Sequence, residues 1–214
     1  VSGTYLYLHG FASGPTSFKA QFFSRRFGER GVHLQVPSLD EGDFAHLTLS
    51  RQRSLVERMA SGASRPLVLI GSSLGGYLAA LHASAHPVDA LLVMAPAVDF
   101  ARRLEQRSGS DFEAWRDAGF TWVDHYGTGR KERLSFDLIV DAAHHDPCPR
   151  VEAPMLVLHG RTDDVVPLAV VERWAAAQPQ ARLVVFESGH ELKDVVDAMF
   201  DEMVRFLEEH RISA

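Results

Sequence analysis

Apolar residues in this chain gather into short runs, most of them nearly continuous, separated by longer stretches in which they recur every three or four positions. Thr4 to Leu8, Leu34 to Val36, Leu67 to Ile70, Ala90 to Met94, Met155 to Leu158 and Leu183 to Phe186 are runs of the first kind. Lacking an inside–outside alternation, they predict strands covered on both faces. Between them fall helix patterns. Phe18, Phe22, Phe23 and Phe27 share one face of the first. Leu47 to Met59 and Gly75 to His86 form the next two, and Val170, Val171 and Trp174 mark a fourth that starts after Pro167. The last pattern is the strongest: Leu192, Val195, Val196, Met199, Phe200, Met203, Val204, Phe206 and Leu207 line one stripe, with the acidic residues outside it.

Strand–helix alternation of this kind predicts right-handed crossovers and a mostly parallel sheet of about six strands, with helices on both faces. The segment from Ala95 to Pro154 is too long for one crossover. It contains helix-like Phe100 to Trp115, a Gly-rich Tyr126-Gly-Thr-Gly129 and helix-like Phe136 to Ala143. It reads as a cap inserted at about residues 95–153 of a single domain covering residues 1–214.

Three loops carry the candidate chemistry. Gly71-Ser72-Ser73-Leu74-Gly75 is a G-x-S-x-G. By composition alone such a pattern arises in about one chain in fifteen. Here a strand leads into it and a helix leaves it, which is the setting of a nucleophile elbow with Ser73 at its tip. Ser72 has its flanking glycines at the wrong offsets. A hydroxyl needs a base to act as nucleophile, and the later strands end in loops that offer one. His159-Gly-Arg-Thr-Asp163-Asp164 follows the fifth run, and Glu187-Ser-Gly-His190 follows the sixth. The order Ser, Asp, His and the shared C-terminal edge of the sheet make these the expected partners. A tetrahedral intermediate also needs oxyanion donors. The backbone N–H of Leu74, at the start of its helix, is one, and the N–H of Phe11, in the loop His9-Gly10-Phe11-Ala12-Ser13 after the first strand, is the other. Among eleven histidines, His159 reads as a strand-end packing residue. His144, His145 and Asp146 diverge if helical, so no metal site is expected there.

With those residues in place, the chain resembles the α/β-hydrolase superfamily along its whole length. Leu8-His-Gly-Phe-Ala-Ser-Gly-Pro-Thr-Ser-Phe-Lys-Ala20 and Gly71-Ser-Ser-Leu-Gly-Gly-Tyr77 resemble small YqiA-type bacterial esterases. Leu158-His-Gly-Arg-Thr-Asp-Asp-Val-Val-Pro167 is similar to mitochondrial depalmitoylating hydrolases. The resemblance implies a sheet lacking two N-terminal strands. It also implies hydrolysis of carboxylic esters or thioesters without a cofactor, with Ser73 as nucleophile, Asp163 as acid and His190 as base. The aromatic residues of the inserted segment, Phe100, Phe112, Trp115, Phe120, Trp122, Tyr126 and Phe136, point to an apolar, partly covered pocket and so to a small-molecule ester of short to medium acyl chain, with an acyl-protein or acyl-CoA thioester as the alternative. A non-catalytic binding protein on the same fold is the alternative from another class.

Composition narrows the partners. The formal net charge of −6 and the absence of a basic run argue against nucleic acid. The longest apolar run, Ala90 to Val98, is too short to span a membrane. A single cysteine, Cys148, allows no internal disulfide. Reduced surroundings fit, as would a secreted protein that uses no disulfides, and with no signal-peptide pattern at the start a cytoplasmic location is the expectation.

Overall fold

The computed structural model describes residues 3–213, and of Ser108 the backbone alone. Six strands form one parallel sheet: β1 (Thr4–Leu8), β2 (Leu34–Gln35), β3 (Leu67–Ser72), β4 (Ala90–Met94), and, beyond the insertion, the strands Met155–Gly160 and Ala181–Phe186. Side chains alternate across this sheet. Tyr5, Tyr7, Val68, Ile70, Leu92 and Met94 point to one core, against helix α1 (Phe18–Glu29) and the C-terminal helix Val196–Glu209. Leu6, Leu8, Leu69, Leu91 and Val93 point to the other core. There they meet α2 (Leu49–Ala60), α3 (Leu74–Ala85) and the helix Leu168–Ala176. Both faces are covered, which is why the strands read as unbroken apolar runs.

Between β4 and the fifth sheet strand lie α4 (Phe100–Ser108), α5 (Ser110–Ala118), an antiparallel pair β5 (Phe120–His125) and β6 (Arg130–Ser135), and α6 (Asp137–Ala142). The remaining elements are therefore β7 (Met155–Gly160), α7 (Leu168–Ala176), β8 (Ala181–Phe186) and α8 (Val196–Glu209). The sheet order is β2-β1-β3-β4-β7-β8. Successive connections leave β1 in opposite directions, toward β2 and toward β3. The crevice at their C-terminal ends is where an open parallel sheet places its ligands.

Four expectations change. The helix expected from Phe100 to Trp115 is broken at Gly109, whose φ of 50° and ψ of −121° end α4 and start α5. The Gly-rich Tyr126–Gly129 stretch is the turn of the β5–β6 hairpin, with the Thr128 and Gly129 amides both donating to His125 O. Phe18 lies 51% exposed rather than on the buried face of α1. Leu192 is buried but stands outside the last helix, in a left-handed conformation before a short 3-10 turn.

Helix α3 is buried along most of its length, and it carries His82 into the core. His82 is 2% exposed, and neither ring nitrogen has a hydrogen-bond partner. Its ring stacks on His86 with centroids 4.6 Å apart. Burial, aided by His86 and Arg53 and opposed by Glu57, pushes its pKa down to about 4. Between about pH 4 and 6.5 the unfolded chain therefore binds a proton that the folded chain refuses, so stability rises with pH across this window. It is complete above the unfolded pKa and is lost as pH falls through the folded one. Urea unfolding at pH 7, 5.5 and 4.5 should show a loss on the order of 1–3 kcal/mol from this group. His82→Met should flatten that decline. An equally steep decline in the variant would assign the effect to other groups.

Candidate active site

The site begins with backbone geometry at the end of β3. Ser73 has φ 53° and ψ −118°, a conformation rare for a residue with a Cβ. It is held by packing on both sides of the turn. A Cβ on Gly75 would come within 2.1 Å of Leu8 O, and one on Gly71 within 2.4 Å of Gly75 O. Glycine at these two positions lets α3 leave the strand at once. The Ser73 N–H donates to Met94 O at 2.9 Å and the Ser73 carbonyl accepts from Gly76, Tyr77 and Ala97, so the turn is tied to β4 as well. Ser72, by contrast, ends β3 as a buried residue.

The loop after β7 brings in the acid. Asp163 Oδ1 accepts from the amides of Val165 at 2.9 Å and Val166 at 2.7 Å, which fixes its rotamer. Oδ2 meets His190 Nδ1 at 2.8 Å. His190 Nε2 in turn lies 3.0 Å from Ser73 Oγ. Burial alone would raise the Asp163 carboxyl. The His190 hydrogen bond, the Val166 amide and the nearby His190 and His159 rings outweigh it and hold the pKa below its usual value. Asp164, the neighbour, is exposed. His159 is completely buried at the strand end and donates from Nε2 to Val166 O at 2.8 Å, with Asp163 Oδ2 at 3.4 Å. It packs as expected, and it also braces the acid turn.

The loop after β1 lies against Ser73. A Cβ on Gly10 would be 3.5 Å from Ser73 Cβ. His9 anchors this loop: Nδ1 faces Gly10 O at 3.0 Å, and Nε2 accepts from the Leu39 amide at 3.2 Å. Burial lowers the His9 pKa, in keeping with a neutral ring. Ala12, just past Phe11, has φ 50°. The Leu74 N–H opens α3 and has no acceptor within the helix. The Phe11 N–H donates to no backbone acceptor among the described residues.

The insertion roofs part of the crevice. Tyr126 N donates to Ala12 O at 2.7 Å, which binds the hairpin turn to the β1 loop. Phe112, Trp115 and Phe136 form a ring cluster of the insertion's own, with centroids 5.3 to 6.2 Å apart. Phe100 meets Phe11 at 6.4 Å. A cavity of about 800 Å³ remains, lined by Phe11, Ser73, Phe100, Leu104, Val165 and His190 among others. Lys19 also reaches it; its Nζ donates to Glu191 O at 2.9 Å, and burial lowers its pKa to about 8. Sequence reasoning gave no role to Lys19, although it stands in the Leu8–Ala20 motif, or to the arginines of α4, which no motif marks. The spacing Phe100, Arg103, Leu104, Arg107 was the available signal, a single helical face mixing apolar and cationic side chains. His145 Nε2 lies 3.1 Å from Ser50 Oγ, clasping the turn after α6 to α2. Among the described residues no group of three His, Cys, Asp or Glu side chains is placed to hold a metal ion.

Comparison with known proteins fits this picture. The model of a family described as an uncharacterised protein family, UPF0227, matches residues 4–208. The mouse mitochondrial palmitoyl-protein thioesterase ABHD10 is 27% identical over 216 residues, covering 90% of this chain and 70% of that protein. The solved structure of mouse ABHD10 superposes with a TM-score of 0.80 at 21% identity, covering 98% of this chain and 92% of that one. A crystallised α/β-superfamily putative hydrolase from Xanthomonas campestris gives a TM-score of 0.64 at 25% identity, covering 97% and 99%. The architecture is the α/β-hydrolase fold.

Proposed function

The chain belongs to the uncharacterised family UPF0227, and from its site we propose that it is a serine hydrolase acting on carboxylic esters through an acyl-enzyme on Ser73. The observation that carries this reading is the unbroken hydrogen-bonded line from Asp163 through His190 to Ser73, in a crevice with room for a substrate. His190 Nε2 takes the Ser73 proton as Oγ attacks the carbonyl. Asp163 holds the ring by Nδ1 and stabilises its charged form. The Phe11 and Leu74 amides receive the oxyanion. His190 then returns the proton to the leaving group and activates water to free the acyl chain.

The name of the ABHD10 relative favours a second substrate class for the same residues, the acyl thioester. In both cases the acyl chain would lie against Phe11, Phe100, Leu104, Val165 and Val166. Each methylene that gains an apolar wall is worth about 0.8 kcal/mol, or roughly fourfold in kcat/KM. A partly roofed cavity of about 800 Å³ should reward the first several carbons and then penalise longer chains. The test is kcat/KM across p-nitrophenyl esters from acetate to palmitate, with matched acyl-CoA thioesters. An optimum at short to medium length is expected. A flat profile or an optimum at palmitate would remove the size argument, and no turnover of any member would remove the hydrolase reading.

A further inference from the structure

The cavity beside Ser73 is cationic, although the chain as a whole carries a formal charge of −6. Lys19, Arg103, Arg107 and Lys193 line it against only Asp111 and Glu191, and Glu191 is taken by Lys193 at 2.8 Å. Arg103 is the informative member. It stands on the α4 face that turns to the cavity, one helical turn from Phe100 and one from Arg107. It is half-buried, and its guanidinium donates to the carbonyl of Val165. Among the described residues no carboxylate comes within ion-pair distance of it. The nearest acid in the helix start, Asp99, is paired with Arg102 at 2.6 Å.

Most arginines of this molecule that leave water are matched by a carboxylate, as Arg26 is by Asp197 and Arg182 by Glu209. A half-buried guanidinium bonded to a neutral carbonyl keeps other donors open to the cavity, and a substrate anion would satisfy them. Burial depresses the Arg103 pKa and the Arg107 and Arg102 cations add to that, while the Asp99 and Asp163 charges oppose it from beyond ion-pair distance. The link to Val165 also sets Arg103 near the reacting centre, since the Val165 amide is itself bound to Asp163.

We propose that Arg103, with Arg107 beside it, seats an anionic group of the substrate, a carboxylate or a phosphate, while Ser73 attacks the ester or thioester carbonyl. This rests on the serine-hydrolase reading and narrows it to substrates that carry negative charge near the scissile bond. The apolar wall of Phe11, Phe100 and Leu104 accepts the acyl carbons, and the α4 cations select for charge.

Two substrate pairs test it and separate the two anions. The mono-p-nitrophenyl ester of glutaric acid is set against p-nitrophenyl pentanoate for the carboxylate. The p-nitrophenyl ester of 4-phosphonobutyric acid is set against p-nitrophenyl hexanoate for the phosphate, the phosphonate standing in for it. In at least one pair the charged member should show the higher kcat/KM. Arg103→Met should lower the charged-to-neutral ratio about 10- to 100-fold, and Arg107→Met, at an exposed position, should lower it less. Were Arg103 only a brace for Val165, its loss would slow all four substrates alike and leave the ratio untouched, which would overturn the proposal. Should the Arg103 variant fold poorly, the wild-type ratio read against NaCl serves instead. It should fall as salt screens the pair, and a salt-independent ratio would overturn the proposal equally. Failure of the serine-hydrolase reading shows as no turnover of any of the four, whereas failure of the anion seat shows as turnover without charge preference.

Discussion

Ser73→Ala is expected to lower kcat on p-nitrophenyl acetate by about 10⁴- to 10⁶-fold, the scale seen when a nucleophile is removed from a serine hydrolase. The fold should survive, because the hydroxyl does not cap α3 and the turn is held by backbone bonds from Met94 and Ala97. Ser73→Gly makes a sharper version of the same experiment. At φ 53° a side chain costs on the order of 1–3 kcal/mol. The glycine variant should thus be as inactive as the alanine variant and at least as stable, a trade between strain and activity in one residue. A fluorophosphonate should add its mass to the wild type at Ser73 and to neither variant. Labelling at Ser72, or retained turnover in a folded Ser73→Ala protein, would move the nucleophile elsewhere.

Asp163→Asn should cost about 10⁴-fold in kcat. The amide oxygen can keep the Val165 and Val166 bonds, so the loop should hold its shape. The amide nitrogen would then face His190 Nδ1 as a donor, where the carboxylate now accepts at 2.8 Å. That forces the ring proton onto Nε2, which would donate toward Ser73 Oγ instead of taking its proton. Asp164→Asn, at an exposed side chain, should change kcat less than about threefold, in line with a surface charge. A strong effect at Asp164 with a weak one at Asp163 would reassign the acid. Because its neighbours hold the Asp163 carboxyl below the ordinary range, it stays ionised through mildly acidic pH. The acid limb of the kcat/KM profile should therefore belong to another group.

Much of the molecule was legible in the sequence because the signals are local. Four of the six sheet strands bury every residue, and burial on both faces writes itself as an unbroken apolar run. The elbow was legible for the same reason: strand, Gly71, Ser73, Gly75 and helix are contiguous, and the steric need for each glycine is met within a few residues of backbone. The loops after β1, β7 and β8 could be placed on one edge because a parallel sheet sends every strand end the same way.

Other features depended on contacts that no local pattern carries. The β5–β6 hairpin was unreadable as strands, since β6 is Arg-Lys-Glu-Arg-Leu-Ser and buries only Leu134; its pairing partner and the anchoring of Tyr126 on Ala12 define it. Phe18 has the right helical spacing for the core, but its stretch of α1 opens onto the cavity. The motif resemblance named Asp163 over Asp164, but the contact itself needs a ring 27 positions away, and that ring meets a serine 117 positions away. The Arg103 environment is of the same kind, because an unpaired cation is visible only once every carboxylate around it has been placed. Periodicity and turn chemistry are properties of neighbours in the chain, and they determined the strands, the elbow and the candidate residues. Which side chains meet, and which charges are left without a partner, is set by how the sheet and its insertion close on each other, and only the tertiary structure decided that.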